Sequence, residues 1–210
     1  MTEFSPEIDA YIGAPADVYV YKEQNRCYGA MKDRLDGANI LEFGAHCGFF
    51  NLWARRNAKP KKIVSIEPDP ATYAVLEKNC GATSVIRQAA VVGADYASRE
   101  VTLYRSKTYS SKNTIEPVRG REQVDVPAVK FKSLLRGINV IKCDCEGGEY
   151  GLDWEDLPDS VHTIAIEFHF NKPDWTIERI QRPLFAQGFK PVRAPKYNSF
   201  SKVGIGIYKR

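Results

Sequence analysis

Short apolar runs alternate with amphipathic stretches along most of the chain. Residues 39–44 (NILEFG) form a near-continuous apolar run that ends in glycine, the pattern of a strand buried on both faces. Phe49–Asn57 follows as a helix, and Lys62–Glu67 (KIVSIE), rich in β-branched residues, reads as a second strand. Asp69 is placed to cap the next helix, with Pro70 in its first turn and Gly81 after its last. Residues 84–92 make a third strand region, 138–144 a fourth strand and 162–169 a fifth. Glu100–Arg105 and residues 123–129 alternate apolar with polar positions and predict a hairpin pair around a loop at 106–121. Residues 176–187 carry a helical face at Ile177, Ile180 and Leu184, with Pro183 expected to kink it. Residues 189–193 and 203–208 predict two final strands joined by a loop around Asn198.

Alternating β and α units imply a doubly wound α/β domain with a mainly parallel sheet and helices on both faces. Residues 1–38 are expected to form a helical cap, its helix at 21–35, on a domain spanning 39–210. A length of 210 residues with 43% hydrophobic and 27% charged side chains suits one globular domain with a sizeable core. The net charge of +4 permits an anionic partner without demanding nucleic acid. Beyond Gly188 there is no acidic residue, whereas Lys190, Arg193, Lys196, Lys202, Lys209 and Arg210 are basic, which reads first as a solvated surface. No apolar run approaches the ~20 residues of a membrane span, and the first ten residues do not have the pattern of a secretory leader. The five cysteines, odd in number and widely spaced, argue against a disulfide framework and for a reducing, cytoplasmic setting.

In open α/β sheets ligands sit beyond the carboxyl ends of the strands. The first strand ends in Glu42-Phe43-Gly44-Ala45-His46-Cys47-Gly48, where Gly44 and Gly48 allow a sharp turn and close approach to a ligand. The GxxxG spacing departs from the GxGxxG of dinucleotide-binding folds, which lowers the case for a hydride-transfer enzyme. The second strand ends at Glu67-Pro68, about 20 residues further on, where a carboxylate can accept from both hydroxyls of an adenosine ribose. The small residues Ala89 and Ala90 would suit an adenine edge. Residues 142–150 (KCDCEGGEY) place the carboxylates of Asp144, Glu146 and Glu149 at the end of the fourth strand. Glu167 and His169 share one face of the fifth.

With these segments in this order, the chain resembles the FkbM family of methyltransferases. The matching stretches are ILEFGAHCGFF, VSIEPDPATYAVLEKN, RQAAVVG, VDVPAVKFKSLL, IKCDCEGGEY and IAIEFH, covering most of residues 39–169. Glu42 and His46 stand where the family usually carries aspartate and asparagine. The resemblance implies a seven-stranded, Rossmann-like class I methyltransferase sheet with a C-terminal antiparallel hairpin. It also implies S-adenosylmethionine as cofactor and O-methylation of a sugar, glycan or small natural product. Glu42, Gly44, Ala45, His46, Gly48, Glu67, Pro68, Ala89, Ala90 and Asp144 are then the expected cofactor-binding positions.

A hydroxyl nucleophile needs its proton removed during attack. His169 is the first expected general base, because an imidazole titrates near neutrality, with Glu146 and Asp144 second. Asp144, Glu167 and His169 could instead hold a divalent cation, and a structural His169 is a further alternative. Glu167, Ser111 and Asn113 are the expected acceptor contacts, the last two from the 106–121 loop. Two other functions stay open. A nucleic-acid methyltransferase, of ribose or a modified base, would use the basic C-terminal stretch. However, the Asn-Pro-Pro-aromatic and Pro-Cys loops of base-modifying enzymes are absent, and a Lys-Asp-Lys-Glu set through Lys142, Asp144 and Lys172 lacks its final glutamate. The other alternative is a non-catalytic S-adenosylmethionine-binding interaction module.

Overall fold

The protein is described by a computed structural model covering residues 2–107, 109–196 and 202–210. The chain opens with an antiparallel hairpin, β1 (Glu3–Ser5) and β2 (Ala10–Ile12), followed by helix α1 (Asp17–Tyr28) and a 3-10 turn, Gly29–Arg34. The N-terminal region is thus not wholly helical, and its helix starts four residues earlier than expected. Asp17 fixes that start: its Oδ2 accepts from the N–H groups of Gly13 (2.8 Å) and Ala14 (3.0 Å), a turn built just before the first helical residues.

Strand β3 (Asn39–Phe43), α2 (Phe49–Asn57), β4 (Lys62–Glu67), α3 (Pro70–Cys80) and β5 (Val85–Gln88) follow. Asp69 caps α3 as expected, accepting from the N–H groups of Ala71 and Thr72, both at 2.9 Å. The third strand region divides: after β5 the chain bends at Ala89 and continues as β6 (Ala90–Val92), which leaves the main sheet. Strands β7 (Glu100–Arg105) and β8 (Glu122–Lys130) form the expected antiparallel pair, and β6 joins β8 to make a small sheet ordered β6-β8-β7. Next come α4 (Phe131–Leu134), β9 (Val140–Cys143), β10 (Thr163–His169), α5 (Ile177–Ala186), β11 (Lys190–Arg193) and β12 (Val203–Lys209). Helix α5 runs through Pro183. The expected loop around Asn198 lies outside the described residues.

The main sheet has seven strands in the order β11-β12-β10-β9-β3-β4-β5. The five strands from β5 to β10 are parallel, and β12 pairs antiparallel with both β10 and β11. This is the seven-stranded, doubly wound class I arrangement with a C-terminal antiparallel hairpin. Period-two alternation splits the central strands between two cores. Ile40, Ile63, Val140 and Ala165 face a cluster with Tyr28, Met31, Leu35, Phe50 and Trp53. Leu41, Ile66, Ile141 and Ile164, an odd number of residues away on the same strands, face the cluster of Phe131, Trp154, Ile180 and Leu184. The order of connection reverses between β3 and β9, so a crevice opens there at the strands' carboxyl ends.

Candidate active site

A cavity of about 250 Å³ occupies this crevice. Its walls come from the residues following β3, β4, β5 and β9, from Glu167 on β10, from the 106–121 loop and from α1. Of the expected cofactor positions, Glu42, Gly44, Ala45, His46, Glu67, Pro68, Ala89, Ala90 and Asp144 all lie on the wall. Gly48 does not. It sits behind the loop at φ +83°, where a Cβ would lie 2.6 Å from Cys80 Sγ and 2.8 Å from Leu76 Cδ1, so it is packing against α3 that demands glycine there. Gly44 (φ +66°) has a different constraint, since a Cβ would fall 1.5 Å from the carbonyl oxygen of Asp144. We expect Gly44→Ala to push the β3 and β9 loops apart and to destabilise the fold by about 3 kcal/mol or more, read from the denaturant midpoint.

Glu67 organises one end of the cavity. Its Oε2 accepts from the backbone N–H of His46 at 2.8 Å and its Oε1 from that of Asp69 at 3.0 Å. Each carboxylate oxygen keeps a second lone pair for a ligand. Burial pushes this carboxyl up to about 7 against the pull of those two N–H groups. Asp69 Oδ2, beyond it, accepts from Arg105 Nε (2.6 Å) and Asn113 Nδ2 (3.2 Å), tying the 106–121 loop to the start of α3. Ser111 and Asn113 both line the cavity, as does Ser110, whose Oγ lies 2.9 Å from His46 Nε2.

Glu42 lies fully buried in the floor. Its Oε2 accepts from Ser65 Oγ at 2.7 Å, and burial raises this carboxyl also to about 7, partly offset by Lys142. Lys142 is buried beside it, donating to the Gly44 carbonyl (2.9 Å) and to Asp144 Oδ2 (3.3 Å). Burial alone would lower this ammonium, but the carboxylates of Asp144 and Glu42 outweigh it and hold the cation. Lys172 lies elsewhere, paired with Glu116 over the Trp175 ring, so the tetrad imagined through Lys142, Asp144 and Lys172 is not assembled.

Two of these groups make the ligand-free fold pH-sensitive. Glu42 and Glu67 have folded pKa values raised to about 7 from an ordinary value near 4.5, so folding favours their protonated forms. Their contribution is full below about pH 4.5 and is lost as pH rises through about 7. The ligand-free protein is therefore expected to melt at a higher temperature at pH 5.5 than at pH 8. Glu42→Gln should reduce that difference, as scanning calorimetry would show.

The acidic cluster is arranged around His169, and not as expected. His169 is 2% exposed, and among the described residues the cavity wall does not include it. Its Nδ1 lies 3.0 Å from Glu149 Oε1 and its Nε2 3.4 Å from Glu146 Oε2. Burial would lower this imidazole, yet the Glu149 and Glu146 carboxylates overcome that and raise it well above its ordinary value. His169 thus stands behind the cavity wall, its two ring nitrogens facing Glu149 and Glu146 rather than the open space. Glu146 (φ +52°) and Asp144 do line the cavity. Burial raises Glu146 despite the opposing pull of His169. Asp144 would also be raised by burial, but Lys142 and His169 outweigh that and lower it. Glu167 is raised well above its ordinary value, by burial and by the nearby Asp144 carboxylate. Single ligand atoms of Asp144, Glu167 and His169 lie within 4.8 Å of one another.

Sequence reasoning missed three contributors. Glu149, fully buried, accepts from the Gly147 N–H through Oε2 (2.9 Å) and from the His169 N–H through Oε1 (2.9 Å). The acidic spacing had flagged it without a role. Gln24 and Tyr28 bring α1 onto the wall, a long-range contact that no local pattern announces. Cys143 and Cys145, two residues apart at the end of β9, bring their sulfurs within 3.6 Å, on the one face that period-two alternation gives to residues i and i+2.

A model of the FkbM methyltransferase domain matches residues 37–191. The chain belongs to the FkbM methyltransferase family. This family member is 24% identical over 189 aligned residues to Methyltransferase 1 of Beauveria bassiana (strain ARSEF 2860), with 75% of each chain covered. Among solved structures it is similar to the magnesium protoporphyrin IX methyltransferase ChlM of Synechocystis PCC 6803 with bound SAM. There the TM-score is 0.49 at 10% identity, covering 92% of this chain and 82% of that one. It is also similar to the precorrin-6y C5,15-methyltransferase of Geobacter metallireducens GS-15, with a TM-score of 0.49 at 10% identity, covering 100% and 94%. Among the described residues of this FkbM methyltransferase, no helix is long and apolar enough to cross a membrane.

Proposed function

We propose that this methyltransferase binds S-adenosylmethionine in the crevice and transfers its methyl group to a hydroxyl of a sugar, glycan or small natural product. The observation that carries this reading is the row of carboxylates on one wall: Glu42, Glu67, Asp144, Glu146 and Glu167, against the buried cation of Lys142. A cationic ligand against this wall would draw its raised carboxyls into their charged forms. Three residues of the wall also carry buried polar atoms with no hydrogen-bond partner among the described residues: Gln24 Oε1, Glu42 Oε1 and His46 Nδ1. They suit the ammonium and carboxylate of an amino-acid moiety, and Glu67 suits a ribose diol.

When bound, the cofactor supplies an electrophilic methyl group on a sulfonium. The chain's own residues then hold the acceptor and its proton. Glu146 is the proton acceptor of this reading: it lines the cavity, and its raised pKa makes it a stronger base than an exposed carboxylate. His169 acts through Glu146 as a positioning cation, and Glu149 in turn holds His169. Asp144 and Glu167, with carboxylate oxygens within 4.8 Å of one another, face the same space. Ser111 and Asn113 offer hydroxyl and amide groups to the acceptor. The closeness of Asp144, Glu167 and His169 favours a second reading, in which a divalent cation activates the hydroxyl.

Calorimetric titration with S-adenosylhomocysteine tests cofactor binding, and a methyl-transfer screen over glycans, small hydroxyl compounds and RNA tests the acceptor. Micromolar binding with turnover on a hydroxyl compound is expected. Turnover that EDTA abolishes and Mg²⁺ restores would move the reading to the cation. Turnover on RNA alone, weakening steeply with salt, would replace the acceptor class. Binding without turnover on any acceptor would favour a non-catalytic module.

A further inference from the structure

Cys143 and Cys145 flank Asp144, and their sulfur atoms lie 3.6 Å apart. We propose that they form an oxidisable dithiol, and that closing it to a disulfide remodels the carboxylate wall. The two positions differ in freedom. Cys143 is the last residue of β9, fully buried and paired on both sides, with Phe43 of β3 and Ile166 of β10. Cys145 lies beyond the strand end, is half-buried and lines the cavity.

A disulfide needs its sulfurs about 2.05 Å apart, so they must approach by about 1.5 Å. Asp144 cannot give way easily: its N–H donates to the Phe43 carbonyl at 3.2 Å, and its own carbonyl is packed against Gly44. Cys145 therefore moves, and Glu146 moves with it. Glu146 Oε2 would then leave its place beside His169 Nε2, and Cys145 would shift the stretch of wall that it lines. The wall that holds the cavity's negative charge thus carries its own redox-dependent latch.

The chemistry balances with an external peroxide or disulfide as oxidant. Peroxide oxidises the Cys145 thiol to a sulfenic acid and is reduced to water. The Cys143 sulfur then attacks that sulfur, expelling a second water. With oxidised glutathione, Cys145 first exchanges to a mixed disulfide, and attack by Cys143 releases a second equivalent of reduced glutathione. Burial holds the Cys143 thiol well up, so closure is expected to run faster at pH 9 than at pH 7. The short ring makes the bond strained and readily reduced by dithiothreitol.

The test treats the folded wild-type protein with hydrogen peroxide or oxidised glutathione, traps free thiols by alkylation and maps tryptic peptides. The peptide beginning at Cys143 carries both cysteines. It is expected to emerge lighter by two hydrogen atoms and unalkylated, to recover with dithiothreitol, and to lose this behaviour in Cys143→Ser and Cys145→Ser. Circular dichroism checks that both variants fold. Both thiols still alkylated after oxidant, or a stable glutathione adduct on Cys145, would overturn the proposal. The effect on the wall rests on the cofactor reading above. Oxidised protein should lose affinity for S-adenosylhomocysteine, and an oxidised form that binds as well as the reduced one would overturn the remodelling. Reduced protein that does not bind at all would refute the cofactor reading while leaving the thiol mapping to decide on the disulfide.

Discussion

Glu67→Ala is expected to weaken S-adenosylhomocysteine binding by about 100-fold or more, taking two hydrogen bonds to a charged group at about 1.5–3 kcal/mol each. Two effects add in the same direction. The carboxylate is the acceptor placed to meet a ribose diol, and it also clamps the His46 and Asp69 N–H groups that shape the end of the cavity. Glu67→Gln separates them. Its single carbonyl oxygen can replace one acceptor while its amide presents donors where the diol also donates, so binding should stay weak even where the fold is preserved. Calorimetric titration measures both variants, and circular dichroism monitors the fold. A Gln variant that binds like wild type would remove Glu67 from the cofactor site. The pH dependence follows from the same residue. Glu67 titrates at about 7 in the ligand-free protein, and a diol favours its ionised form. Binding should therefore strengthen as pH rises from 6 to 8, opposite to the stability of the ligand-free fold.

The parts of the site that the sequence makes legible are those fixed by local chain geometry. A strand that ends in glycine, then a second that ends in Glu67-Pro68 before an Asp-Pro cap, places its loops at one edge of the sheet by topology alone. Nine of the ten expected cofactor positions sit on the cavity wall for that reason. Gly48 is the exception because glycine serves two purposes that sequence cannot separate: approach to a ligand, and here approach to Cys80. The surroundings of His169 are hidden for a related reason. Its face of β10 is visible from alternation, but what stands opposite is not. Glu149, twenty residues away in sequence, takes the inner nitrogen, and Glu146 the outer one. The α1 contacts through Gln24 and Tyr28, and the division of β5 from β6, arise from tertiary packing with no local signature.

Glu146→Gln is expected to lower kcat by about 10²–10⁴-fold with little change in KM, the loss typical of removing a general base. Cofactor affinity should be nearly unchanged, because Glu67 and Glu42 lie at other parts of the wall. Glu149→Gln tests the support behind it. Glu149 is not on the cavity wall, and it reaches Glu146 through His169, through the Gly147 N–H and by direct charge repulsion. With Glu149 neutral, the imidazolium loses its stronger partner, the 3.0 Å contact, and the His169 pKa falls toward its ordinary value. The charge that holds Glu146 is then lost at a lower pH. The basic limb of the kcat profile should shift toward acid in Glu149→Gln, whereas a purely structural role would scale the profile down without moving it. His169→Asn keeps a hydrogen-bonding group but no charge and should flatten that limb altogether. Should Glu146→Gln retain full kcat while Asp144→Asn loses it, the proton acceptor would be Asp144, with Lys142 rather than His169 as the cation that tunes it.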